Sequence, residues 1–93
     1  MEKVDKRILV VDDEQDLCEI LSFNIQIEGY HVDTANSAEE ALEMDIASYD
    51  LLLLDVMMGG MSGFQLAKKL KENPMTAHVP IISLPLGIRR MIR

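Results

Sequence analysis

The sequence predicts an α/β fold: an open parallel sheet of about four strands, layered with three helices. Three observations carry that expectation. The runs Arg7-Ile-Leu-Val-Val11 and Leu51-Leu-Leu-Leu54 are short, apolar and β-prone, and each gives way to acid. Segments with helical apolar spacing separate such runs. The resulting βαβαβαβ order demands right-handed crossovers and hence parallel strands.

The first strand is the apolar run that ends at Asp12-Asp13. Over 14–28, Leu17, Ile20, Leu21 and Ile27 recur at helical spacing and Gly29 supplies the stop, so the first helix is expected there. Cys18 falls within it as a small apolar residue. A brief strand follows over 30–35. Ser37-Ala-Glu-Glu40 has the spacing of a capping box and opens a second helix, with Ala38, Ala41, Leu42 and Ile46 facing inward. The leucine run, apolar on both faces, fits a strand covered by helices on both sides. Ser62-Gly-Phe-Gln65 is a second cap; Leu66, Ala67 and Leu70 mark a third helix that ends near Asn73-Pro74, with Lys68, Lys69 and Lys71 on its solvated face. Val79-Pro-Ile-Ile-Ser-Leu84 is the fourth strand, with Pro80 tolerable near its beginning.

The chain has 93 residues, which allow one domain. A net charge of −7 argues against nucleic acid or an anionic membrane as a direct partner and favours a cation or a basic surface. One cysteine excludes an intrachain disulfide and a cysteine-based zinc site. With no apolar stretch of membrane-spanning length and no signal peptide, a cytoplasmic location is expected.

Function should lie where the strands end. In a flavodoxin-like doubly wound sheet of order 2-1-3-4-5, the first and third strands are neighbours at the topological switch point, and ligands bind beyond their carboxyl ends. Asp12, Asp13 and Asp55 should therefore converge in one crevice, beside a loop that Gly59, Gly60 and Gly63 allow to turn sharply. Such a cluster repels itself. A raised pKa or a bound hard cation relieves the repulsion, and an oxygen-only site suits Mg2+. A carboxylate beside that cation can attack a phosphoryl group. Taken singly, Asp13 also reads as a helix N-cap, Asp55 as a turn residue, and Met57, Met58 and Met61 as flexible packing. Glu14, Asp16, Glu39 and Glu40 read as helix surface, and His31 and His78 as structural or exposed residues.

Val10-Val-Asp-Asp-Glu14, followed by Asp55-x-x-Met58-x-x-Met61-x-Gly63, resembles the receiver domain of two-component response regulators, the CheY-like family, over residues 7–84. The resemblance implies that Asp55 is the phospho-acceptor, taking a phosphoryl group from a sensor histidine kinase. It also implies that Asp13, Asp55 and the main-chain carbonyl of Met57 bind Mg2+ directly, with Asp12 acting through water. The domain would promote only its own phosphorylation and dephosphorylation: a phosphorelay signalling module and phosphoprotein rather than an enzyme.

The chain departs from that pattern in three places. Gly59 stands where the family commonly has Pro, and Pro85 stands where a Thr or Ser hydroxyl is expected. The last strand, with its active-site lysine, and the last helices are missing, so the fold is expected to be an incomplete receiver over 1–84 with an aberrant basic tail over 85–93. That tail holds three arginines and no acid, whereas the chain through Leu84 carries six basic and 16 acidic residues. One permissible coding of the tail, with a single A restored before it, reads Thr-Ala-Arg-Asp-Ser-Glu-Asp-Asp-Thr, as a frameshift would leave it. Impaired phosphorylation is the expected consequence. The exposed edge of the fourth strand invites pairing, hence a homodimer or larger oligomer. The alternative is a non-catalytic, self-associating fragment that binds a cation without signalling. A Mg2+-dependent phosphohydrolase ranks below both, because Val56 and Met57 follow Asp55 in place of a second acid.

Overall fold

The computed structural model describes residues 5–55, 58 and 61–83. In chain order these form β1 (Arg7–Val11), α1 (Gln15–Ile27), β2 (His31–Ala35), α2 (Ala38–Leu42), a 3-10 turn (Ile46–Ser48), β3 (Leu51–Leu54), α3 (Gly63–Glu72) and β4 (Ile81–Ser83). All strand pairs are parallel, in the order β2-β1-β3-β4. This is the expected switch-point arrangement: β1 lies between β2 and β3, and the chain crosses over β1 to reach β3.

Alternation along the strands divides the core. Leu9, Val11, Leu52 and Leu54 point to one face, where they bury with Ala35, Ala38, Ala41, Ile46, Leu66 and Leu70. Ile8 and Val10 point to the other, with Cys18 of α1 and the partly buried Leu51 and Leu53. Full burial of a leucine stabilises the fold by roughly 1.5–3 kcal/mol, so Leu9, Leu52, Leu54 and Leu66 carry much of the first core. Helix cover of β3 is uneven. Leu52 and Leu54 are fully buried, whereas Leu51 and Leu53 are only partly so. On that second face α1 packs on β2 and β1.

Local signals account for the helix ends. Ser62 forms a complete capping box: its Oγ accepts from the Gln65 N–H and the Gln65 side chain accepts from the Ser62 N–H. Ser37 Oγ accepts from the Glu40 N–H, but the reciprocal bond shifts back one residue, so that Glu40 Oε2 accepts from Asn36 N–H at 3.2 Å. Gly29 ends α1 at φ 101°, a left-handed conformation that glycine adopts without steric cost.

Several expectations need correction. Helix α2 is a single short segment, and Ile46 is buried through the 3-10 turn instead of the helix. Leu42 is 40% exposed and Ile27 66% exposed, so neither joins an inward stripe; Ile20 is likewise exposed. Asp13 is not the N-cap of α1, because that position is Glu14. Lys71 is more than solvated surface: its Nζ donates to the carbonyls of Ala77 and Val79, tying α3 to the segment that leads into β4. The proposed tail and Pro85, Met57, Val56, Gly59 and Gly60 lie outside the described residues.

Candidate functional site

Asp12 and Asp55 are the first residues past β1 and β3, and the sheet's hydrogen bonding continues through both. The Asp12 N–H donates to Ala35 O at 3.1 Å, and the Asp55 N–H donates to Val11 O at 2.9 Å. Because Val11 and Leu54 are paired in register, the following acids emerge side by side. Asp12 is fully buried and Asp55 is 2% exposed, while Asp13 is solvent-exposed. Two acids thus form the floor of the site and a third its rim.

Asp12, Asp13 and Asp55 each offer a carboxylate oxygen, and these atoms lie within 4.8 Å of one another. Two oxygens bound directly to one Mg2+ are separated by at most about 4.2 Å, given its 2.0–2.1 Å bond length. A spread of at most 4.8 Å leaves the three oxygens within reach of one such ion and its bound water. The donor set is all oxygen and anionic, the chemistry that a hard divalent cation requires. The convergence expected of these three acids is therefore present.

The surrounding contacts include several that the sequence did not disclose. Asp12 Oδ1 accepts from the Glu14 N–H at 2.9 Å, which orients the buried carboxylate and anchors the start of α1. The Asp12 carbonyl accepts from Asn36 Nδ2 at 3.2 Å and from the Cys18 thiol at 3.3 Å. Glu39, expected to be plain helix surface, accepts from the Met61 N–H at 3.3 Å and so ties α2 to the β3–α3 connection. Met58 is buried and Met61 packs against the same core, in keeping with a packing role for both. Burial, then the neighbouring Asp12 charge, pushes the Cys18 thiol up to about 11. It is a neutral donor at physiological pH.

An open parallel α/β sheet with a three-carboxylate cluster at its switch point defines a class, the doubly wound domain with an acidic site beyond its strand ends. The response regulator receiver domain family matches residues 8–86, and the chain belongs to it. It is 44% identical over 77 residues to the response regulator PleD of Caulobacter vibrioides, covering 82% of this chain and 17% of PleD. With the phosphate regulon regulatory protein PhoB of Rhizobium meliloti it shares 40% identity over 79 residues, covering 84% of this chain and 35% of PhoB. Among solved structures, the chemotaxis protein CheY4 of Vibrio cholerae superposes with a TM-score of 0.79 at 27% identity, covering 94% of this chain and 77% of that one. The response regulator TrrA of Thermotoga maritima, solved in complex with Mg(2+)-BeF, gives a TM-score of 0.71 at 31% identity, covering 94% and 93% of the two chains. Receiver domains serve in two-component signalling, where the phosphoryl group comes from a histidine kinase. Among the described residues, no helix is long and apolar enough to cross a membrane.

Proposed function

We propose that this chain is a phosphorelay receiver module in which Asp55 accepts a phosphoryl group from a sensor histidine kinase in a Mg2+-dependent reaction. The observation that carries the reading is the convergence of Asp12, Asp13 and Asp55 oxygens from two adjacent strand ends. Asp13 and Asp55, with the main-chain carbonyl of Met57, are the proposed direct ligands, and Asp12 is assigned to act through water. A divalent cation held there supplies neutralisation of the charge that gathers on the phosphoryl oxygens.

An Asp55 carboxylate oxygen forms a bond to phosphorus as the bond from phosphorus to the donor's leaving nitrogen or oxygen breaks. The leaving group departs with that bonding pair, and the product is an acyl phosphate on Asp55. Water later attacks phosphorus and restores the carboxylate. The protein promotes only these changes to itself. Rates below those typical of the family are part of the proposal, because Pro85 stands in the sequence where the family resemblance expects a Thr or Ser hydroxyl.

The proposed partners are a sensor kinase and further copies of this chain; the net charge of −7 makes nucleic acid and membrane poor direct partners. A cytoplasmic location and self-association through β4 belong to the same reading. The latter is supported by Ile82, which stands 53% exposed on β4. The decisive experiment is intact-mass analysis after incubation with acetyl phosphate, with and without Mg2+, beside Asp55→Asn. A Mg2+-dependent phosphoryl adduct on the wild type alone supports the proposal. An unmodified, folded wild type that binds Mg2+ supports the non-signalling, self-associating fragment instead.

A further inference from the structure

Asp12 is held at both ends of its backbone by two successive residues of the β2–α2 junction. Its N–H donates to Ala35 O at 3.1 Å, and its carbonyl accepts from Asn36 Nδ2 at 3.2 Å. The second donor to that carbonyl, the Cys18 thiol at 3.3 Å, comes from α1 on the other side. Asn36 Nδ2 also lies 3.7 Å from Cys18 Sγ, so the two donors engage each other as well as the carbonyl. Asn36 is itself fixed from behind, its N–H donating to Glu40 Oε2 at 3.2 Å while Ser37 caps the same turn of α2.

We propose that Asn36 is a positioning residue for the acidic site: by clamping the Asp12 carbonyl together with Cys18, it sets the direction in which Asp13 presents its carboxylate to a divalent cation. The physical link is the peptide plane. The Asp12 carbonyl oxygen and the Asp13 nitrogen and Cα lie in one rigid plane, so holding the oxygen fixes where the Asp13 side chain begins. Asp13 is the solvent-exposed member of the cluster, whereas Asp12 and Asp55 are buried. Groups that orient metal ligands without touching the metal typically govern affinity by about 10–100-fold.

The inference rests on the metal-dependent reading above, and calorimetric titration of the full chain with MgCl2 alone separates the two. Wild type, Asp13→Asn, Asn36→Ala and Ser37→Ala are compared, each with its melting temperature. Asn36→Ala should bind Mg2+ about 10-fold more weakly than wild type. Ser37→Ala weakens the α2 cap and lowers the melting temperature, yet it should keep Mg2+ affinity within about twofold because the carbonyl clamp stays intact. If Asn36→Ala does not fold, Cys18→Ala removes the other and weaker donor and should cost about threefold in affinity. A folded Asn36→Ala with wild-type affinity, or a loss in Ser37→Ala as large as in Asn36→Ala, overturns the positioning role while leaving the metal site standing. A wild type without saturable Mg2+ binding, indistinguishable from Asp13→Asn, overturns the metal reading and this inference with it.

Discussion

Val11 and Leu54 are register partners in adjacent parallel strands, and the Asp55 N–H extends their pairing by donating to Val11 O at 2.9 Å. Each partner is followed by an acid, so strand register alone brings Asp12 and Asp55 together. A slip of one residue would turn Asp55 to the opposite face, which is why the buried leucines of β3 matter to chemistry as well as stability.

Two buried carboxylates with a third beside them within 4.8 Å constitute repulsion built into the metal-free fold. Neutralising one member should relieve it. Asp55→Asn is expected to raise the metal-free unfolding free energy by about 1–2 kcal/mol, a fraction of the bare Coulomb energy at that separation. The same substitution should shrink the rise in melting temperature that Mg2+ gives the wild type, since a ligand stabilises only in proportion to its preference for the native state. Thermal melts of both proteins across a Mg2+ series test this; equal Mg2+-induced shifts would count against Asp55 as a ligand.

Away from the site, Tyr49 donates a 2.6 Å hydrogen bond from its hydroxyl to Asp33, and the Arg7 guanidinium lies 4.6 Å from its ring centroid. Burial, reinforced by the Asp33 bond, pushes the phenol up to about 12. A raised phenol pKa means that the fold favours the protonated form. The stability involved is therefore complete below the ordinary value near 10 and is lost as pH rises through about 10 to 12. Denaturant melts across that range should show a fall in stability that Tyr49→Phe diminishes. Near neutral pH, Tyr49→Phe should itself cost about 1 kcal/mol, the modest figure reflecting solvent access to Asp33. The Arg7–Asp33 ion pair, 3.4 Å long and about half exposed on both sides, should contribute little by comparison.

The four strands, their parallel order and the meeting of three acids were legible because each rests on a periodic or terminal signal: apolar runs ending in acid, and caps at Ser37 and Ser62. The helix faces were less legible. Ile27 and Leu42 fit the spacing of an inward stripe, but one closes α1 and the other closes an α2 of only five residues, where the backbone leaves the sheet before a full stripe forms. Asn36 and Glu39 gave no periodic signal at all. Their bonds, to Asp12 O and to the Met61 N–H, join residues 24 and 22 positions apart and arise only once the sheet is assembled. The faint clue was an asparagine immediately before a Ser-x-x-Glu cap.

Cys18 is buried, and its thiol is pushed up to about 11 by burial and by the Asp12 charge. Only the thiolate reacts readily, so alkylation by iodoacetamide at pH 7.5 should be far slower than for a free thiol of ordinary pKa near 8.5. Alkylation should accelerate sharply in denaturant. Mass spectrometry with time follows both rates, and equal rates in native and denaturing buffer would contradict the burial of Cys18 beneath the acid site.

Ile82 pairs in register with Leu53, and the two point to the sheet face on which α1 packs over β2 and β1. The apolar surface thus continues outward to β4, where Ile82 is 53% exposed. Burying such surface against a second copy would gain roughly 25 cal/mol for each Å² covered. If self-association uses this face, Ile82→Glu should convert an oligomer to monomer, because a charge placed at the contact is costly to desolvate and repels its mate across a symmetric interface. The substitution should leave the melting temperature of dilute protein little changed, since the side chain is already half in water. Light scattering coupled to size exclusion provides the test. A monomeric wild type at high concentration, or an Ile82→Glu protein that associates as strongly as wild type, would remove this face from the interface.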